Sequence, residues 1–337
     1  MLDRTRSRSH SRPRHTRRAV LAAAGAAVGS LSLAGCLEDD VDGEWVRADV
    51  PTDATLYDVV PTADGAYAVG EDGVVLARDG GDWTVRLENG VGDAGDGLRS
   101  AAVTSNGRAL WVAGDSGALG LYDVVADHVA DFSAPNGKTT SWTSVAAAGL
   151  AGDERLTVIN SSGELLRGRR DGADVSWGDV TEPGTGSSVT DVALTPLAYG
   201  YVVDTDGGVF ESRDGGVAWS RIGIDGAAVD FEAVAATDSG HVSVAGGNGV
   251  VYRYNGVAWS RTTVGEQPIA ALARDRDDAL AVSTSGTIYE RSYDGWTELA
   301  GLRPGNELLA VALGTARTPQ LVVGESGIVY ERRYDDS

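Results

Sequence analysis

A short glycine turn between two apolar runs recurs seven times along this chain, and the recurrence constrains its fold more than any other feature. Three copies read Val69-Gly70-Glu71-Asp72-Gly73-Val74-Val75, Ala113-Gly114-Asp115-Ser116-Gly117-Ala118-Leu119 and Ile159-Asn160-Ser161-Ser162-Gly163-Glu164-Leu165. The others are Val203-Asp204-Thr205-Asp206-Gly207, Ala245-Gly246-Gly247-Asn248-Gly249, Val282-Ser283-Thr284-Ser285-Gly286 and Val323-Gly324-Glu325-Ser326-Gly327. The closing glycines, 73, 117, 163, 207, 249, 286 and 327, are spaced 44, 46, 44, 42, 37 and 41 residues apart. A near-constant period of this length means one supersecondary unit repeated, each copy burying its apolar faces against its neighbours.

Within the unit, β-branched runs alternate with Gly, Asp and Asn, and no stretch sustains helical periodicity. A first strand opens with a large apolar residue followed two positions later by a small or short one: Leu56/Asp58, Leu98/Ser100, Trp142/Ser144, Val189/Asp191, Phe231/Ala233, Ile269/Ala271 and Leu308/Ala310. Small side chains suit strands crowded round an axis. A second strand runs into the glycine turn, where Asp, Asn, Ser and Gly accept the positive φ of a tight hairpin, and a third leaves it. A second hairpin signal and a tryptophan follow, as in Asp79-Gly80-Gly81-Asp82-Trp83, Asn255-Gly256-Val257-Ala258-Trp259 and Asp294-Gly295-Trp296.

Four strands per unit, seven times over, predict an all-β, seven-bladed β-propeller of four-stranded antiparallel blades spanning residues 45–337. The last unit stops at Tyr334-Asp335-Asp336-Ser337, where its outer hairpin should begin, while Asp42-Gly43-Glu44-Trp45 carries the missing turn and tryptophan. The N-terminal strand is therefore expected to complete the last blade and remove an open edge. The second unit, with Tyr122-Asp123-Val124-Val125-Ala126-Asp127-His128, lacks the Gly-Trp signal, so its fourth strand has the weakest support.

Charge divides the chain. Residues 1–35 hold seven arginines and one acid, and the rest carries 21 basic against 48 acidic residues, a net of −27. Such a body is no nucleic-acid-binding surface. Of 28 basic residues, 27 are Arg and only Lys138 is Lys, a style that resembles the proteins of extreme halophiles such as haloarchaea. Carboxylates keep a surface hydrated where molar salt screens their repulsion to within about 3 Å.

Residues 1–35 have the layout of a signal peptide, a basic stretch followed by an uncharged run from Ala19 to Leu33 too short for a comfortable membrane span. Arg17-Arg18 resembles the twin-arginine export signal, which carries folded proteins across the membrane. Leu33-Ala34-Gly35-Cys36 resembles a lipobox. The resemblance implies that Cys36, the only cysteine, takes a lipid and becomes the mature N-terminus, with residues 36–44 as an acidic tether. The expected location is the outer face of the cytoplasmic membrane.

The repeat itself resembles the BNR-like propellers of the photosystem II assembly-factor type and, more distantly, sialidase and sortilin propellers. Ser212-Arg213-Asp214-Gly215-Gly216-Val217-Ala218-Trp219 matches their Asp-box in full. Ser212, Asp214, Gly216 and Trp219 are then expected to brace a turn between outer strands, a structural role. The resemblance implies a binding or assembly module for a protein or membrane complex, with a sialidase-like glycoside hydrolase as the alternative.

Few residues are available for catalysis after residue 36, where His128, His241 and one lysine stand with no further cysteine. Ser-His-Asp catalysis, Schiff-base chemistry, a Walker loop and a Cys/His zinc site are all starved of residues. The Arg-Ile-Pro motif of sialidases does not occur, and Asp204-Thr205-Asp206-Gly207 reads as a hairpin turn rather than a calcium loop. Neither cofactor nor metal is expected, and the propeller is expected to be a monomer. Asp58, Ser100, Ser144 and Asp191 make the axis polar in four units where the other three have Ala, which makes them the candidate channel-mouth binding residues. Arg167, Arg169 and Arg170 form the main basic run, with local salt bridges as the simplest expectation.

Overall fold

The computed structural model describes residues 43–184, 188–224, 226–292, 295–299, 302 and 305–334. The chain divides into two units, residues 1–41 and 42–337, and the second holds every described strand. The expectations placed on Arg17, Arg18 and Cys36 lie outside the described residues.

Seven four-stranded antiparallel sheets make up this second unit, each a consecutive meander except the last. Blade 1 comprises Leu56–Thr62, Gly65–Gly70, Val75–Asp79 and Asp82–Leu87. The inner strands of the other blades are Leu98–Val103, Ser144–Ala148, Val189–Leu194, Phe231–Asp238, Ile269–Arg274 and Leu308–Ala312. Each inner strand touches the next, and the seventh touches the first, so the blades form a closed ring. Blade 7 takes its outer strand from the other end of the chain, where Glu44–Arg47 pairs antiparallel with Val329–Arg333 in the register Glu44↔Arg333 to Arg47↔Tyr330.

Blade 2 has its fourth strand after all, His128–Asp131, paired with Gly120–Asp123. The missing Gly is replaced by Asp123, whose Oδ1 accepts the backbone N–H of Val125 and of Ala126 at 2.9 Å, with Asp127 in the left-handed region at φ 52°. The place that Trp83 takes opposite Arg78 in blade 1 falls here to Val129, opposite Tyr122 and packed in the cluster between blades 1 and 2, while Phe132 packs on the other side, its ring centroid 5.1 Å from that of Trp111.

The core is distributed between blades. Tyr67, Val69, Val75 and Ala77 of blade 1, for example, pack on Leu98, Leu110 and Val112 of blade 2. Second strands are covered on both faces, which is why Ala109–Gly114 is buried at every position and reads as a continuous apolar run instead of an alternating one. The repeated glycine supplies both conformation and space at Gly117. Its φ is +80°, and a Cβ there would stand 2.6 Å from the carbonyl oxygen of Lys138 in the neighbouring loop.

All seven inner strands start at one end of the axis, because residues from all of those starts line a single opening. This end is called the upper face. It carries the second-to-third-strand turns and the connections between blades, and the lower face carries the first-to-second and third-to-fourth turns.

Candidate functional site: the upper mouth of the axis

The large-then-small pair that opens each first strand is the signature of a β-bulge. The register shifts between Leu56 and Asp58, and again at Leu98/Ser100, Val189/Asp191, Phe231/Ala233, Ile269/Ala271 and Leu308/Ala310. In blade 3 the paired strand starts at Ser144, just after the fully buried Trp142. A bulge sets one extra residue outside the ladder and breaks strict alternation. The large residue is thereby buried between blades, the next residue is left at the opening, and the third lies against the neighbouring blade.

The third residues form a belt of hydrogen bonds from blade to blade. Asp58 Oδ2 accepts the backbone N–H of Ala101 at 2.8 Å and the Ser100 hydroxyl at 3.4 Å. Ser100 Oγ in turn accepts the Val145 N–H at 3.2 Å. Ser144 Oγ donates to Asp191 Oδ1 at 2.8 Å, and Asp191 Oδ2 accepts the Val234 N–H at 2.9 Å. Each carboxylate also accepts the amide of the residue after it, Val59 or Val192, at 2.8 Å. Blades 1 to 5 are thus linked by side chains, whereas blades 5 to 7 present Ala233, Ala271 and Ala310. Burial is the dominant influence on both acids. It pushes Asp58 up to about 7 against the hydrogen bonds of Ala101, Val59 and Ser100, and pushes Asp191 up to about 6 against those of Val234, Ser144 and Val192.

The residues skipped by the ladder, Tyr57, Arg99, Thr143, Thr190 and Glu232, were not singled out from the sequence. They line a cavity of about 190 Å³ together with the belt and an apolar arc that includes Ala270, Ala271, Leu309 and Ala310. Arg99 pairs with Asp115 at 3.0 Å and lies over the Tyr57 ring, 4.5 Å from its centroid. Thr143 and Thr190 donate to the carbonyl oxygens of Ile159 and Phe231. Glu232 makes no hydrogen bond or ion pair to another described residue, and burial, with Asp230 nearby, raises its pKa. The signal that locates these five is the position between the members of the repeated pair.

The remaining sequence candidates lie elsewhere. Asp214 Oδ1 accepts the Ser212 hydroxyl at 2.9 Å and the amides of Val217 and Ala218 at 3.0 and 2.9 Å, while Ser212 Oγ accepts the Gly216 amide at 2.8 Å. Trp219 lies across Gly200, where a Cβ would be 2.7 Å from Cη2. Of the basic run, Arg169 pairs with Asp153 at 2.8 Å and Arg170 with the buried Glu154 at 3.1 Å. Asp204 Oδ1 accepts the amides of Asp206 and Gly208, an ordinary turn. His241 bonds Asp238 at 2.8 Å and is remote from the upper mouth, at the start of a second strand. Among the described residues, no group of three or more His, Cys, Asp or Glu is placed to hold a metal ion, and no helix is long and apolar enough to cross a membrane.

No protein-family model and no curated protein matches the chain. Solved structures do. YCF48 from Cyanidioschyzon merolae superposes with a TM-score of 0.67 at 16% identity, covering 86% of this chain and 98% of that one. A structure of YCF48 bound to D1 peptide gives 0.68 at 16% identity, covering 86% and 97%. Virginiamycin B lyase from Staphylococcus aureus gives 0.69 at 11% identity, again covering 86% and 97%. At these identities the likeness is one of fold.

Proposed function

We propose that the chain is a non-enzymatic binding or assembly scaffold, exported through its twin arginines, held at the outer face of the cytoplasmic membrane by a lipid on Cys36, and docking a protein or membrane complex at the upper mouth. One observation carries the reading. The axis carboxylates Asp58 and Asp191 are committed to backbone amides and serines, which makes the mouth a braced rim. A rim tied together in this way presents Tyr57, Arg99 and Glu232 in fixed places at low ordering cost to a partner. YCF48 bound to D1 peptide is a propeller of this shape holding a peptide, which supports a protein partner here.

Affinity purification from membranes kept in molar salt tests the reading, with Glu232→Gln and Tyr57→Ala variants run alongside. A complex that copurifies with the native chain and is lost with either variant is the expected result. Recovery that is indifferent to both would place the docking surface elsewhere. Virginiamycin B lyase shows that this fold also carries enzymes, so turnover of glycoside substrates abolished by Glu232→Gln would replace the scaffold reading with the hydrolase one. Anchoring is tested separately, since Arg17→Lys with Arg18→Lys should block export and Cys36→Ser should release the protein to the medium.

A further inference from the structure

The two faces of the ring differ in composition. Among the described residues, the exposed large hydrophobic side chains are Val125, Leu150, Val180, Leu197, Val217, Val257 and Tyr334, and all but Val180 belong to the lower face. Leu150 and Leu197 cap first-to-second-strand turns, and Val125, Val217 and Val257 cap third-to-fourth-strand turns, across blades 2 to 5. Tyr334 follows Arg333 at the lower end of blade 7. Leu197 is 80% exposed and Val257 88%. A single exposed aliphatic tip is ordinary on a protein surface, but six of these seven side chains fall on one face of the ring, and it is this one-sidedness that marks the face.

Charge follows the same division. In the loops of the upper face the only described basic residue is Lys138, set among acids such as Glu71, Asp72, Asp115, Asp206 and Glu325. The lower turns hold Arg108, Arg213, Arg276 and Arg317 against a larger number of acids, Asp127, Asp153, Asp214, Asp275, Asp277 and Asp278 among them. Both faces are net negative, but the basic residues that could offset contact with an anionic bilayer lie almost all on the lower one.

The register of blade 7 shows where the chain joins the ring. Glu44 lies opposite Arg333, the lower end of the third strand, and Arg47 lies opposite Tyr330. Gly43 is therefore at the lower face, beside Tyr334. Seven residue steps separate Cys36 from Gly43, so a lipid on Cys36 would hold this point within about 25 Å of the bilayer at full extension.

We propose that the lower face is a membrane-docking surface, in which the aliphatic turn tips of blades 2 to 5 and Tyr334 enter the headgroup region of the bilayer and the axial mouth is turned away from it. The inference rests on the lipid-anchor reading for its tether and on the described residues for its face. Interfacial binding scales with the apolar area buried and gains from basic residues beside anionic lipid. With the lipid supplying most of the affinity, the tips set orientation, and the upper mouth is left clear for its partner.

Site-specific fluorescence tests this. An environment-sensitive thiol probe is placed at Leu197→Cys, at Val257→Cys or, on the opposite face, at Ser161→Cys in the full-length lipoprotein in phosphatidylglycerol vesicles doped with a nitroxide lipid. Emission at 197 and 257 should shift to the blue and be quenched several-fold, with solvent-like, unquenched emission at 161. Solvent-like emission at 197 and 257, or equal quenching at all three positions, would overturn the proposal. Failure of the anchor has its own readout, because an unlipidated Cys36 would take the probe in a chain with no added cysteine. In that event the Cys36→Ser chain, carrying the same probes, is added to the same vesicles, and the same contrast decides the face. In that chain Leu197→Asp with Val257→Asp should weaken vesicle binding by about tenfold or more.

Discussion

Arg78 and Glu331 are 253 residues apart in the chain, yet Arg78 Nε donates to Glu331 Oε1 at 2.7 Å. The Glu331 side chain is fully buried, and Trp83 Nε1 donates to the same oxygen at 3.0 Å. This contact joins blade 1 to blade 7, the seam where the ring could open. Burial favours the neutral acid, but the hydrogen bonds of Arg78 and Trp83 outweigh it and hold Glu331 below the usual carboxylate range. Removing one member of such a pair strands the other, so Glu331→Met should cost about 3–5 kcal/mol in urea unfolding at fixed salt. The double variant with Arg78→Met should recover part of that loss. A Glu331→Met protein as stable as the native one would show that the seam draws nothing from this pair.

The second seam element is the strand Glu44–Arg47. Its removal exposes the ladder groups of Val329–Arg333 and uncovers the cluster where Trp45 packs against Leu308 and Val322. Deleting residues 43–50 should lower the unfolding midpoint sharply or produce concentration-dependent aggregation by light scattering. A monomeric, native-like melt would mean that blade 7 closes without it.

The ring, its blade count and its closure were legible because they rest on local chemistry. A Gly-containing tight turn and a strand-length apolar run declare themselves residue by residue, and seven copies remove the ambiguity of one. Blade 2 shows the limit of such signals, since Asp123 and Val129 stand there where Gly and Trp stand elsewhere. The mouth was half legible. Asp58, Ser100, Ser144 and Asp191 stood out by type, and the structure finds them at the opening but bonded to the next blade. Tyr57, Arg99, Thr143, Thr190 and Glu232 escape a reading by pattern because strict alternation puts Leu56 and Asp58 on one face. The bulge that cancels this alternation depends on pairing with the second strand, a partner that periodicity within one strand does not contain.

Asp58 and Asp191 have a pH signature opposite to that of Glu331. Their folded pKa values, raised by burial to about 7 and about 6, exceed the unfolded value of about 3.9. The folded state therefore binds more protons than the unfolded one between about pH 4 and 7, and stability falls as pH rises through that window. Glu331, with its lowered pKa, contributes stability above about pH 4 that is lost on further acidification. The melting temperature should peak on the acid side of neutrality. Asp58→Asn with Asp191→Asn, which keeps an acceptor oxygen at each site, should flatten the decline between pH 4 and 7. An unchanged slope in the double variant would assign the decline to other groups.

Salt dependence follows from the same surplus of acid. The net charge of −27 beyond residue 35 repels itself, and the upper loops concentrate acids such as Asp53, Glu71, Asp72 and Glu325 with Lys138 as their one described basic residue. In about 0.1 M salt the screening length is near 10 Å, so neighbouring loops feel one another. In molar salt it is near 3 Å, and they do not. Circular dichroism should show the unfolding midpoint rising steeply from millimolar to molar KCl. Salt also strengthens apolar burial, so charge must be separated from that effect. Sucrose, which is excluded from the surface but screens nothing, should recover only part of the stabilisation. Glu71→Gln with Asp72→Asn and Asp53→Asn should raise stability at low salt and reduce the dependence on KCl. If the variant keeps the full salt slope, or if sucrose reproduces it, the acids of the upper face are not what binds this fold to salt.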